Sequence, residues 1–134
     1  MLFVYSFAIP ANTPESSPVR RKIRIDIGVI DRIEIRIPPG HLALARIRVK
    51  YGEVPILPVN PGAWIKGDNE TIVDEPMLLI DQEPAELTLE GWNEDEIYSH
   101  EFVVRVRVVP EEEAKPYKTI AELAETIKKA FGLE

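Results

Sequence analysis

The side chains able to do chemistry are few and scattered. His41 and His100 are the only imidazoles, and each stands where an alternating apolar segment begins. If those two ends met, the pair would offer two nitrogens to a metal. Packed or turn-forming histidines are commoner, so neither is assigned as a ligand. Ser16 and Ser17 lie in a proline-rich stretch without the glycines of a nucleophile elbow. Ser99 precedes His100, but a triad needs a third group placed by the fold. Carboxylates gather in "GDNETIVDE" (67–75) and "DQEPAELTLEGWNEDE" (81–96). Oxygen-rich loops of this kind can hold Ca²⁺, yet neither has EF-hand spacing, and a solvated acidic rim is the simpler account. Paired carboxylates also serve glycosidases, but nothing in the sequence singles out a pair. There is no phosphate-cradling glycine loop and no dinucleotide fingerprint. The expectation is a protein without catalytic residues, cofactor or metal, and not an enzyme.

Trp64, Trp92 and Tyr98 are the other residues of interest, each beside glycine or acidic loop residues. Aromatic faces next to carboxylates grip sugars in many β-sandwich modules. A tryptophan at a strand end also serves as a core plug or an interface anchor. Both roles stay open.

The elements that must position these groups follow from patterning. The chain has 134 residues, 45% of them hydrophobic and 29% charged, with no cysteine. That is one ordinary globular domain, without disulfides or thiolate chemistry. A formal charge of −7 disfavours nucleic acid and anionic membrane surfaces, which need a basic face. A single glutamine, with abundant Ile, Glu, Arg and Pro, matches proteins kept at high temperature. The opening run Leu2 to Ile9 is too short to span a bilayer and lacks the basic start of a signal peptide; it is expected to form a strand or arm. The expected location is the cytoplasm, or a virion if the source is viral.

Residues 10–18 form a proline-rich connector. In "RRKIRIDIGVIDRIEIRIPPGH" (20–41), isoleucine alternates with charge: Ile23, Ile25, Ile27, Ile33, Ile35 and Ile37 must leave water. Gly28 and Asp31 permit a turn or bulge between the two halves, as a hairpin or as one kinked strand. "HLALARIRVKY" (41–51) resumes the alternation. Leu42 to Ala45 is apolar on both faces, which predicts a stretch covered on both sides. Pro55, Pro58 and Pro61 confine any strand in 52–70 to an edge. Residues 71–80, 85–92 and 100–110 supply further strands. Seven or eight short strands, with turn signals every ~8–12 residues, predict an all-β antiparallel sandwich or jelly roll over residues 1–110.

The tail changes grammar. Residues 111–117 predict an exposed acidic linker, and 118–132 an amphipathic helix with Ile120, Leu123, Ile127 and Phe131 on one stripe. Thr119 with Glu122 fits a capping box, and Gly132 a left-handed C-cap. A helix this short is marginal alone in water. Its stripe therefore needs a surface, either its own sandwich or a neighbour.

"IPANTPESSPV", "GVIDRIEIRIPPGHLALA", "LPVNPG", "KGDNE" and "GWNEDEIYSHEFVVRVRVVP" together resemble small β-sandwich virion proteins of tailed phages and related prokaryotic viruses. The resemblance rests on Pro10, Asn12, Thr13 and Pro14, on Gly28, Val29 and Ile30, and on Pro38, Pro39 and Gly40. It continues with Asn60, Pro61 and Gly62, Asp68, Trp92, Asn93, Asp95, Tyr98 and His100. It covers roughly residues 7–110 and stops at Glu111. It implies a structural, oligomeric part of a particle: a capsid decoration, vertex or spike piece. The expected partners are second copies of the chain and a capsid or other assembly protein, with a glycan or receptor as the alternative ligand. An intracellular scaffold or regulatory subunit of a thermophile is the third reading. The surface expected to carry self-association comprises Leu2, Phe3, Val4, Leu42, Leu44, Ile120, Leu123, Ile127 and Phe131.

Overall fold

The structure is a computed structural model that describes residues 1–114 and 116–133. The strands are β1 (Leu2–Ile9), β2 (Val19–Arg24), β3 (Gly28–Ile37), β4 (Ala45–Tyr51), β5 (Val54–Leu57), β6 (Glu70–Asp74), β7 (Leu78–Ile80), β8 (Glu86–Asn93), β9 (His100–Val109) and β10 (Lys118–Thr119), followed by helix α1 (Ile120–Phe131). They form two packed sheets. The larger runs β1-β9-β3-β7-β10, with β6 pairing the C-terminal half of β3; the smaller runs β2-β8-β4-β5. Every pairing is antiparallel except the short β10–β7 contact. The protein is the expected antiparallel sandwich with a C-terminal helix. The strands beyond the expected seven or eight are short ones, β5, β7 and β10.

The alternation explains the core. Ile33, Ile35 and Ile37 of β3 and Phe102, Val104 and Val106 of β9 face Ile23, Ile47, Val49, Leu87 and Leu89 of the smaller sheet, all essentially buried. Each such side chain contributes roughly 1.5–3 kcal/mol. A charged cross-strand pair on an outer face contributes only about 0.2–1 kcal/mol. The aliphatic rows therefore set the fold.

Two expectations need correction. The two isoleucine runs are neither a hairpin nor one kinked strand: β2 and β3 lie in different sheets, and residues 25–27 cross between them. Ile27 sits in that crossover and is exposed, whereas Ile23 and Ile25 are buried. A bulge does occur at Asp31, because Ile30 pairs Val108 while Arg32 pairs Arg107. Second, Leu42 to Leu44 is not strand. Leu42 and Ala43 adopt left-handed φ of 49° and 58°, closing a turn in which Leu44 N–H donates to the His41 carbonyl. Leu42 points outward rather than being covered on both sides.

The segment after β9 is exposed at Glu111–Glu113, as expected of the linker. It holds a single 3-10 turn, Glu111–Glu113, and then buries Ala114 against Val29 and Leu79 on the outer side of the larger sheet. Of the two surfaces open to the helix, α1 takes its own sandwich: Ile120 and Leu123 pack on the main core and Ile127 is buried. Thr119 accepts from the Glu122 N–H, and Gly132 takes the left-handed cap at φ 63°.

Candidate functional site

One end of the sandwich gathers the groups that the sequence left apart. β1 ends where β9 begins, with Ile9 opposite His100, and β4 begins opposite the end of β8, with Ala45 opposite Asn93. This register brings residues 38–44, 66–69 and 94–99 to the same end. His41 and His100 meet there, with ring centroids 4.7 Å apart, and His41 also stands edge-on to Phe102 at 4.7 Å.

The loop 94–99 is held from below. Asn93, a buried amide, donates through Nδ2 to the carbonyls of Ile9 and Tyr98 at 3.2 and 3.0 Å, and accepts from Asp95 N–H at 2.9 Å. Asp95 Oδ1 accepts from the backbone of Ile97 and Tyr98, and Oδ2 lies 2.8 Å from His100 Nε2. Those donors, the Ile97 amide first, hold the Asp95 carboxyl below the usual range. Asn12 clamps the same loop through the carbonyls of Asp95 and Glu96. The sequence signal for this clamp is the Asx chemistry of Asn93 and Asp95.

The scaffolding presents three large apolar side chains beside the exposed carboxylates of Glu94 and Glu96. Ile97 is 76% exposed, Leu42 70% and Tyr98 66%, and all three stand at this end. A loop fixed by a hydrogen-bond network and carrying large apolar side chains loses little further entropy on contact. That is what a docking surface requires.

Among the described residues, no group of three or more His, Cys, Asp and Glu is arranged to hold a metal ion. His41 Nε2 lies 2.9 Å from the Glu101 carbonyl, so that nitrogen carries the proton and Nδ1 is bare. His41 Nδ1 is buried and has no partner among the described residues. Burial pushes the His41 imidazole below its ordinary value, and His100 pushes the same way against the Glu101 carbonyl and Asp68.

The aromatic residues divide. Tyr98 belongs to the exposed end. Trp64 and Trp92 lie on the outer side of the smaller sheet, edge to face at 6.1 Å. Arg48 covers the Trp64 ring at 3.9 Å and Arg46 covers Trp92 at 4.3 Å. Trp64 Nε1 donates to Glu15 at 3.1 Å. A sugar stacks on a bare ring face; here the guanidinium groups occupy one face of each ring.

The remaining expected surface residues are dispersed. Leu2 and Val4 are exposed on edge strand β1, whose partner is this chain's own β9, while Phe3 turns into the core. Leu44 is half-buried beside the histidine end. Ile120, Leu123 and Ile127 face this chain's own sandwich, and Phe131 stays exposed at the far end of the helix.

Fold and end together define a two-sheet antiparallel sandwich with three large apolar side chains exposed at one end. No protein-family model matches the chain, and no curated protein sequence matches it significantly. Among the described residues, no helix is long and apolar enough to cross a membrane.

Proposed function

We propose that this protein is a non-enzymatic assembly protein, which self-associates and docks on a larger particle through the sandwich end built from 38–44 and 94–99. The observation that carries the reading is the exposure of Ile97, Leu42 and Tyr98 on loops fixed by the Asn93 and Asp95 network. Large apolar side chains held on fixed loops gain by being covered by a partner. The virion-associated form of the reading is supported by the residue pattern from Pro10 to His100 that resembles small phage sandwich proteins.

Sedimentation velocity at tens of micromolar tests it. The wild type is expected to sediment as trimers or larger species, and Ile97→Asp with Tyr98→Ser as monomers of unchanged circular dichroism. A wild type that stays monomeric at every concentration overturns self-association. A glycan array scored with Tyr98→Ser and Trp92→Ala separates sugar binding, which would appear on wild type only.

A further inference from the structure

We propose that His41 and His100 form an acid-sensitive latch beneath the docking end: the end is formed at neutral pH and loosens when His41 takes up a proton. The inference rests on the docking reading for its purpose, but not for its physics.

The geometry dictates the direction. His41 is 2% exposed, and its Nε2–H is committed to the Glu101 carbonyl. A second proton must go to Nδ1, where the buried nitrogen finds no acceptor among the described residues. It would place a charge against the His100 ring at 4.7 Å, inside a hydrocarbon surround that includes Phe102.

Three groups on the packed elements face the pair. Asp68, from the 66–69 segment, accepts the N–H groups of Gly40 and Leu42 at 2.8 and 3.3 Å. Asp95, from the 94–99 loop, holds His100. Glu101 of β9 offers its backbone carbonyl to His41. Asp68 is the carboxylate that could follow the charge, but turning toward His41 means abandoning the two backbone donors that fix the turn. The other relief is for the turn to open and let Nδ1 reach water. Both routes loosen 39–44.

The turn is poised for that. Leu42 and Ala43 both hold left-handed φ, a conformation that costs side-chain-bearing residues roughly 1–2 kcal/mol each. Such strain persists only where surrounding bonds impose it. Here the bonds are Ala43 N–H to the Gly67 carbonyl and the two to Asp68. Loop 94–99 is tied to the turn through Glu94 N–H on the Leu44 carbonyl at 2.9 Å, and through His100. Release of one therefore loosens the other.

Amide hydrogen exchange on the full chain from pH 7.5 to 5, corrected for intrinsic rates, tests the latch without any partner. One proton taken up on opening raises the opening constant by up to about tenfold per pH unit. The expected result is loss of protection in 40–44 and 94–100 as pH falls below about 6.5, with Ile35 and Val104 unchanged. His41→Gln, whose amide can still donate to the Glu101 carbonyl but does not titrate, is expected to abolish the pH dependence. Imidazole ¹⁵N shifts of the wild type give a second readout, with His41 as the Nε2–H tautomer at neutral pH. Protection that does not vary with pH in the wild type, or that falls equally in His41→Gln, overturns the latch. A wild type monomeric at pH 7.5 overturns only the docking reading.

Discussion

Arg48 and Glu90 are direct cross-strand partners on the outer side of the smaller sheet, joined at 2.7 Å with the Glu90 side chain only 3% exposed. Arg20, opposite Glu90 on its other side, binds the second oxygen at 2.6 Å, and Lys50 approaches at 3.2 Å. A central-strand carboxylate thus neutralises cations from both neighbouring strands. Burial pushes the Glu90 carboxyl up, but the hydrogen bonds from Arg48 and Lys50 outweigh it and hold the group below its ordinary value. A depressed carboxyl contributes stability that is present above the unfolded-state value and is lost as pH falls through the folded one. Glu90→Gln is expected to cost about 1–3 kcal/mol near neutral pH, and to flatten the decline of stability below pH ~4.5. Urea midpoints measured from pH 3 to 7 check both effects.

The next residue, Gly91, lies under the last residue of β1. A Cβ there would fall 2.2 Å from Ile9 Cδ1 and 2.9 Å from the Arg46 carbonyl. Gly91→Ala should therefore be destabilising by about 1–3 kcal/mol, the usual range for overpacking. Ile9→Val removes the offending Cδ1 and alone costs about 0.5–1.5 kcal/mol. The double variant is expected to be more stable than the sum of the two single changes, while still below wild type because the carbonyl clash remains. Additive losses in the denaturation cycle would mean that the contact is absent.

Much of this arrangement was legible in the sequence wherever the cause is local. The period-two isoleucines of β3 and the valines of β9 announce their buried face, and Thr119, Glu122 and Gly132 announce both ends of α1 within a turn of the chain. Ile27 misled because alternation does not report which sheet a residue joins. The chain leaves the smaller sheet after Arg24, and side-chain phase carries on through the crossover. Leu42 and Ala43 misled because left-handed turns are signalled by Gly or Asn, and here tertiary bonds from Gly67 and Asp68 impose the conformation on residues that do not favour it. The histidine end was not legible. His41 and His100 are far apart in sequence, and only the register of β1, β4, β8 and β9 makes them neighbours.

That imposed turn yields an expectation of its own. Glycine at a left-handed position relieves the Cβ clash, at some cost in unfolded-chain entropy. Ala43→Gly is expected to stabilise by about 0.5–1 kcal/mol and leave self-association intact, since the side chain removed is one methyl. Leu42→Gly should gain similarly in stability but weaken association, because it deletes a 70%-exposed apolar tip. Thermal melts read the first quantity and sedimentation velocity the second. If Leu42→Gly self-associates like wild type, Leu42 does not belong to the contact.

The C-terminal helix tests how a short element is held. α1 has 12 residues, too few to persist in water without tertiary support. Its support is local and specific: Lys118 N–H donates to the Met77 carbonyl at 2.8 Å, β10 pairs with β7, and Ile120, Leu123 and Ile127 lie against the sandwich. Removing the N-cap acceptor by Thr119→Ala should cost about 0.5–2 kcal/mol. Ile127→Asp puts a charge where a buried aliphatic belongs, and should release the whole helix. The core strands β3, β8 and β9 make none of their ladder bonds to α1, so they should stay folded. The expected signature is loss of helical ellipticity and of amide protection confined to 118–132, with protection at Ile35, Leu89 and Val104 retained. Global unfolding of Ile127→Asp would show instead that the helix completes the core rather than covering it.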